Sequence, residues 1–240
     1  MKTTIVILGI CWIAFPQFGY AACGQPQPRL VCAEYSDSKT VIEATLLNVD
    51  NVLYESDPKS VLGRYYTLKI DRVYRGTPGT TIRVYEENDS GRASFSWKVG
   101  ERYLLFLFAS IEKLNEAVLE LDGCGNSGPV ARAKTALRQI DRLGDQKGSA
   151  LIAGRVSDQY LDAPLQGIEV VARSGGKTYR ASTDRKGDFR IPVPAGDYIL
   201  LPEDPQISFR TYEMSYGDPE NLRMQPGACA QVQFLGNVRR

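Results

Sequence analysis

Between residues 40 and 121 the chain alternates short apolar runs with polar turns. Tyr66, Leu68 and Ile70 alternate with polar neighbours, which is the period-2 signature of a strand with one buried face. Residues 103–108 are continuously apolar, which indicates a strand buried on both faces. This half is therefore predicted to form five or six strands. The remaining ones are expected at 40–49, 82–84, 95–97 and 117–121.

One helix is predicted after these strands. Ser127 is a suitable N-cap, Pro129 falls near the first turn and Gly144 can end the helix. Strands followed by one packing helix favour a small closed five-stranded barrel of OB type with a C-terminal helix. The apolar face of the helix has helical spacing and consists of Val130, Ala133, Leu137 and Ile140.

After a short polar linker at 145–149 the pattern changes to strands with frequent glycine and proline turns. No helix is predicted there, and residues 202–226, which are poor in pattern, are expected to include a long loop. The fold class is therefore mostly β, with the barrel at 23–144 and an Ig-like or prealbumin-like β-sandwich at 150–240. The expected strands of the sandwich are 151–156, 168–173, 179–183, 189–193, 198–201 and 231–234.

Residues 1–22 have the pattern of an export signal. Lys2 provides a positive start, and the apolar stretch that follows is about half of the ~20 residues that a membrane span needs. Cleavage after Ala21 fits the small-residue rule best, and cleavage after Ala22 is the alternative. The mature chain is therefore expected to be secreted or to reside in the cell envelope, in the periplasm or at the cell surface.

Four cysteines remain after the leader and its Cys11 are removed: Cys23, Cys32, Cys124 and Cys229. In an exported chain they suggest two disulfide bridges, for which three connectivities are open. The string 20–23 also resembles a bacterial lipobox with Tyr20 in place of the usual leucine. Cys23 is thus either a disulfide partner or a lipidation site, and a membrane contact is expected only if it is lipidated.

Composition argues against most enzymatic chemistry. Lys and Arg (29) nearly balance Asp and Glu (28), so no strong field attracts nucleic acid. The chain has no histidine, which removes the commonest general base and zinc ligand. We expect no catalytic residue, no cofactor and no metal. Paired carboxylates such as Glu86 with Glu87, and the aromatic residues Tyr65, Tyr85 and Trp97, are better explained by surface and core positions.

The second half contains 154–156, 163–170, 183–189 and 193–198, which read GRV, APLQGIEV, TDRKGDF and VPAGDY. This string resembles the carboxypeptidase regulatory-like domain, a transthyretin-like or collagen-adhesin-B-like sandwich. The resemblance implies an accessory spacer or adhesive module without catalytic residues. Asp184 is predicted to bond the backbone of its own turn, because two carboxylates, Asp184 and Asp188, are too few for calcium.

The first half resembles the bacterial TIMP-like (netrin-module) family, an OB-fold group, in 66–76, 99–106 and 123–127. The resemblance implies a bridge from Cys124 to an N-terminal cysteine, assigned to Cys32, which leaves Cys23 with Cys229. It also implies inhibition of metalloproteases through a mature N-terminal cysteine on the protease zinc, here Cys23. The second cysteine of the family's Cys-x-Cys start is absent, since Gln25 stands at that position.

The leading functional expectation is an exported, non-enzymatic binding or adhesion-type protein that contacts protein or glycan partners outside the cytoplasm. A TIMP-like inhibitor with a metalloprotease partner is the first alternative, and a structural spacer is the second. Fold-level analogy supports each of these more than any site does.

Overall fold

The computed structural model describes residues 29–88, 95–110, 118–121, 123–143, 148–215 and 217–238. The predicted leader at 1–22, Cys23 and part of the predicted linker at 145–149 lie outside these residues. The described chain is mostly β, as expected: strands up to residue 129 build a barrel, and strands from residue 149 onward build two facing sheets.

The barrel is closed. Its strands are β1 (Thr40–Leu53), β2 (Val61–Arg75), β3 (Thr81–Glu87), β4 (Arg102–Ser110) and β5 (Val118–Leu121), with the short β6 (Gly128–Pro129) added beside β4. The order β1-β2-β3-β5-β4 returns to β1, which pairs with both β2 and β4. Register shifts along β1 bend the strand, which allows it to pair with β2 on one side and β4 on the other. The predicted five-stranded barrel is confirmed.

The two faces of β4 lie in two different cores. Tyr103, Leu105 and Leu107 point into the barrel, whereas Leu104 and Phe106 pack against helices outside it. All five side chains are fully buried. The continuous apolar run therefore indicated a strand covered on both faces, as predicted.

Helix α2 (Lys134–Leu143) covers the outer face of the barrel, but it begins later than predicted. Ser127 does not cap it: the Ser127 hydroxyl accepts a hydrogen bond from the Phe106 backbone N–H at 2.9 Å. Pro129 lies in β6. The expected apolar face is present from Ala133 onward, since Ala133, Leu137 and Ile140 pack in the outer core.

Helix α1 (Val31–Asp37) was not predicted. It has seven residues, too few for a periodic pattern to be distinguished from a loop. Its residues Val31 and Tyr35 join the outer core beside α2, and its Cys32 faces the sandwich. This short helix therefore connects the two domains.

The sandwich consists of two four-stranded sheets, β10-β7-β14-β12 and β13-β11-β8-β9. Its central strands β7 and β14 run parallel to each other. Phe189, Ile191 and Phe234 lie in its apolar core. The strands are β7 (Ser149–Asp158), β8 (Glu169–Ser174), β9 (Lys177–Ser182), β10 (Asp188–Pro194), β11 (Gly196–Glu203), β12 (Ile207–Ser215), β13 (Leu222–Met224) and β14 (Cys229–Val238).

Two predictions about local structure are wrong. Residues 202–226 contain β12 and β13 and are not one long loop. Register slips between Thr211 and Glu213 in β12, so the period-2 pattern breaks within the strand. Phe95 and Trp97 lie in an irregular segment instead of a strand, and their rings pack on Tyr66 and Tyr103 at the barrel core.

Candidate functional site

The junction between the two domains is covalent. Cys32 of α1 and Cys229 at the start of β14 form a disulfide, with their Cα atoms 5.2 Å apart. They are separated by 197 positions in the sequence, so the bridge closes nearly the whole described chain into one loop. Both predicted pairings, Cys32 with Cys124 and Cys23 with Cys229, are therefore wrong.

The pairing follows from the position of α1. The helix is inserted between the barrel and β14, so Cys32 faces Cys229 and not the segment around Cys124. Cys124 is also disulfide-bonded, and its partner lies outside the described residues. The spacing of the cysteines along the chain does not determine how the two domains dock. The Cys32–Cys229 bridge could therefore not be predicted from that spacing.

Hydrogen bonds on both sides of the bridge fix the junction. The Leu30 backbone N–H donates to the Gln231 side-chain oxygen at 2.8 Å. The Cys229 backbone N–H donates to the Ser36 hydroxyl at 3.4 Å. Leu30, which precedes α1, and Ser36 of α1 thus bind the first residues of β14, which makes the orientation of the domains specific.

A buried carboxylate anchors α1 to the barrel. Glu34 is fully buried, and its Oε2 accepts hydrogen bonds from the Asn126 backbone N–H at 2.7 Å and from the Asn126 side chain at 2.6 Å. Gly125 leaves the room that this contact needs, since a side chain there would collide with Glu34. The string after Cys124 therefore has a structural role in holding α1.

Two buried carboxylates of the barrel, Glu43 and the predicted surface residue Glu86, are engaged in hydrogen bonds. Glu43 accepts from the Tyr74 hydroxyl and pairs with Arg102, while Glu86 accepts from the Tyr66 hydroxyl at 2.7 Å. Burial, followed by these contacts, raises the pKa of both tyrosines above the ordinary value. These pairs join neighbouring strands of the barrel, so they stabilise the fold.

The aromatic candidates divide between core and surface. Trp97 stacks on Tyr66 with ring centres 4.2 Å apart, and Tyr85 is buried. Tyr65 lies beneath the Arg83 guanidinium, 4.1 Å from its ring centre. The three residues do not form one open platform, so they fit packing better than the stacking of a bound base or sugar.

The turn of Asp184 is built as the sequence indicated. Asp184 Oδ1 accepts from the backbone N–H groups of Lys186 at 2.8 Å and Asp188 at 3.0 Å, which lowers the pKa of Asp184. Gly187 has φ of +76° there, and a side chain would collide with the Val156 carbonyl. The Asp188 carboxylate instead pairs with Arg155 at 2.8 Å.

One exposed loop presents apolar side chains at an end of the sandwich. Tyr160 and Leu161 are 72% and 62% exposed. Asp158 fixes their backbone, because its Oδ1 accepts from the Tyr160 and Leu161 N–H groups at 2.8 and 3.0 Å. An aromatic and an aliphatic side chain on an ordered loop form a surface suited to contacts with a partner.

Two negative observations apply to the described ranges alone. In that part of the chain, no group of three or more acidic or cysteine side chains is arranged to hold a metal ion. Within the same residues, no helix has the length and apolarity to cross a membrane.

Among curated proteins, halomucin of Haloquadratum walsbyi is 32% identical to this chain over 57 residues. That match covers 23% of this chain and 1% of halomucin. Two solved structures are also similar in part. A 9R-lipoxygenase from Cyanothece aligns at a TM-score of 0.19 and 17% identity, over 39% of this chain and 14% of the lipoxygenase.

The major pilin subunit BcpA of Bacillus cereus aligns at a TM-score of 0.27 and 13% identity. This alignment covers 85% of this chain and 61% of the pilin. The chain thus spans only part of each of these three proteins. A family model gives the more specific assignment: residues 151–225, which comprise most of the sandwich, match the Carboxypeptidase regulatory-like domain.

Proposed function

We propose that this chain is an exported, non-enzymatic binding protein that contacts protein or glycan partners outside the cytoplasm. The observation that carries the proposal is the Cys32–Cys229 disulfide between the two domains. Structural disulfides form and persist in oxidising compartments, so a fold that depends on one belongs there. The match of residues 151–225 to an accessory-type domain supports the same conclusion.

The exposed loop favours binding over a spacer role. A spacer needs no apolar surface, whereas Tyr160 and Leu161 project into solvent from an ordered turn. Aromatic residues are enriched at the centre of protein–protein interfaces.

The test uses the full chain, exported to an oxidising compartment and processed there. Binding to a glycan array and to purified envelope proteins of the producing cell is measured at concentrations up to about micromolar. We expect a partner whose binding falls when Tyr160 and Leu161 are both changed to serine. Val99→Ser, at an exposed apolar residue of the barrel, is the matched control. Absence of any partner in this range contradicts the proposal.

We also propose that the barrel is a TIMP-like module in which Cys124 pairs with Cys23. Three features support this proposal: the closed barrel, the helix α2 after it and the disulfide state of Cys124. Cys11 leaves with the leader, which makes Cys23 the available partner in a mature chain. A cysteine in a bridge has no sulfur valence left for a lipid thioether, so the two fates of Cys23 exclude each other.

Mass spectrometry of the purified mature chain separates these outcomes. We expect a non-reduced peptide that joins Cys23 to Cys124, and a total mass lower by two hydrogens for each bridge. A lipid on Cys23 contradicts the pairing. Any N-terminus other than a free Cys23 removes the zinc-contact mechanism and with it the inhibitor alternative, whatever the barrel resembles.

A further inference from the structure

The two open sides of the sandwich differ. On one side β9 and β10 lie against each other. On the other side β11 and β12, joined by the turn at 204–206, enclose a groove with a volume of about 1240 Å³. We call it the edge groove; it lies between residues 199–203 of β11 and residues 207–211 of β12.

The floor of the edge groove is apolar. Leu200 and Phe234 belong to the buried core of the sandwich, and Ile207 and Phe209 are half-buried side chains packed against that core. All four side chains line the groove, and Ile207 and Phe209 are the more exposed of them. A further layer of apolar side chains laid into it would therefore be favourable, at about 25 cal/mol per Å² of apolar surface removed from water.

The strand beside the groove has an open edge. In the described chain β12 pairs with β14 alone. The facing edge of β11 is less accessible, because the Leu200 N–H already donates to the Pro219 carbonyl at 2.8 Å. The Ile207 N–H donates within the turn to the Asp204 carbonyl at 3.5 Å, so the Ile207 carbonyl and residues 208–211 of β12 provide the backbone groups that can pair with another strand.

The other strand edges of the sandwich are protected. Pro192 and Pro194 remove backbone donors from β10. Lys177 and Arg180 place charge on β9, and β13 has only three residues. Residues 207–211 contain no proline, and they combine β-branched and aromatic side chains with one arginine. One edge among four therefore remains suited to accept a strand.

The rim of the edge groove is acidic. Glu203, Asp204 and Glu220 line it together with a single cation, Arg210. Glu203 also pairs with Arg173, and Asp204 Oδ1 accepts from the Gln206 backbone N–H at 2.8 Å, while Glu220 adds a further carboxylate to the lining. A segment with basic side chains at one end matches this charge distribution better than an acidic one.

We propose that the edge groove binds an extended, basic segment of a partner protein, which adds a strand to β12. Alternate apolar side chains of that segment lie on the groove floor, and a Lys or Arg lies at the acidic rim. Residues 207–211 pair with about five residues of the segment, ~17 Å of extended chain. The inference rests on the proposed binding function and specifies the kind of partner.

The test begins with a random-sequence peptide display library selected on the oxidised mature chain. We expect enriched peptides that alternate apolar residues and contain Lys or Arg at one end. Thr211→Lys places a charge at the open edge, which blocks strand addition and repels the basic peptide. For a synthetic peptide from the selection, it should weaken the Kd about tenfold, as read by fluorescence polarisation.

The matched control is Thr178→Lys, the same change at an exposed position of the charged edge strand β9. It should leave the Kd within about twofold. A peptide N-methylated along its length loses the strand hydrogen bonds and should bind at least about tenfold more weakly. Hydrogen exchange of the β12 amides should slow when the unmodified peptide binds.

Several outcomes overturn the inference. They are a selection without the predicted pattern, equal loss of binding in both lysine variants, or a wild-type dimer that Thr211→Lys converts to a monomer. The last result assigns the edge to a second copy of this chain. An envelope partner that binds both variants equally refutes the groove and leaves the proposed function intact. Peptides that bind the groove while no envelope or glycan partner exists refute the function instead.

Discussion

The two domains solve the problem of strand edges in different ways. The barrel closes on itself through the pairing of β1 with β4, so each strand of the ring has two neighbours. The sandwich keeps four edges and protects three of them by proline, charge or shortness. A partner can bind a closed barrel through its loops and outer faces. In an open sheet it can also form hydrogen bonds with the backbone N–H and C=O groups of an edge strand. The difference places the capacity for strand addition in the sandwich.

The interiors differ as well. The barrel buries Glu43 and Glu86 and satisfies them with tyrosine hydroxyls on neighbouring strands. The core cluster of the sandwich consists of apolar side chains and Tyr198, whose hydroxyl donates to the Pro194 carbonyl. Buried carboxylates thus join neighbouring strands of the barrel, whereas the buried polar groups of the sandwich are mostly uncharged, as in Ser215, Gln231 and Gln233.

The largest effect is expected from separating the two domains. Changing both Cys32 and Cys229 to alanine removes the constraint of a 197-residue separation and should lower the free energy of unfolding by about 4 kcal/mol. Scanning calorimetry should then show two transitions, one for each domain. Ser36→Ala, which keeps the bridge, is the control. A single transition at an unchanged temperature would show that the domains are coupled without the bridge.

Two substitutions to alanine compare the loss of stability at a strand that is paired on both sides with the loss at an edge strand. Ile42 is fully buried on β1 between β2 and β4, so Ile42→Ala should cost about 3 kcal/mol. Phe209 on β12 is only half-buried, and Phe209→Ala should cost about 1 kcal/mol. The measurement is denaturant unfolding of the chain in which Cys32 and Cys229 are both changed to alanine, because the two domains then unfold in separate transitions. Equal costs would mean that β12 is covered as completely as β1.

The smallest change in stability is expected at alkaline pH, where Tyr103 of the barrel ionises. Burial raises the pKa of Tyr103 in the barrel from 10.0 to about 12. The folded state therefore favours the neutral phenol, so this stabilisation is complete below pH 10 and is lost as pH rises through about 12. Tyr66 and Tyr74 also titrate late, so an absorbance titration of phenolate should contain several late steps, of which Tyr103→Phe removes the one near pH 12. Titration of all tyrosines together near their ordinary pKa would contradict the assignment.

The sequence predicts those elements whose own residues encode them. The alternation at Tyr66, Leu68 and Ile70 gave β2, and the continuous apolar run gave β4 with its two covered faces. The turn at Asp184 and Gly187 follows from side-chain chemistry and positive φ, which are local properties. Closure of the barrel followed from the number of strands and the helix after them.

Features that arise from docking were not predictable. The Cys32–Cys229 bridge depends on α1, a helix too short to recognise, reaching a strand about two hundred positions away. β12 was missed because edge strands are exposed: Arg210 and Tyr212 lie in solvent, and the register slip interrupts the alternation. The edge groove is consequently invisible in the sequence, since it is formed by a strand that no pattern indicated.

The disulfide also determines how the chain transmits mechanical tension. A pull applied between a point before Cys32 and a point after Cys229 passes through the sulfur atoms and along β14, which is already extended. The force therefore bypasses the backbone of residues 33–228. Stretching would therefore load the hydrogen bonds of β14 with β7 and β12 in shear, whereas the barrel lies outside the path of the force. A protein that tethers two surfaces under flow gains resistance to unfolding from such a covalent shortcut.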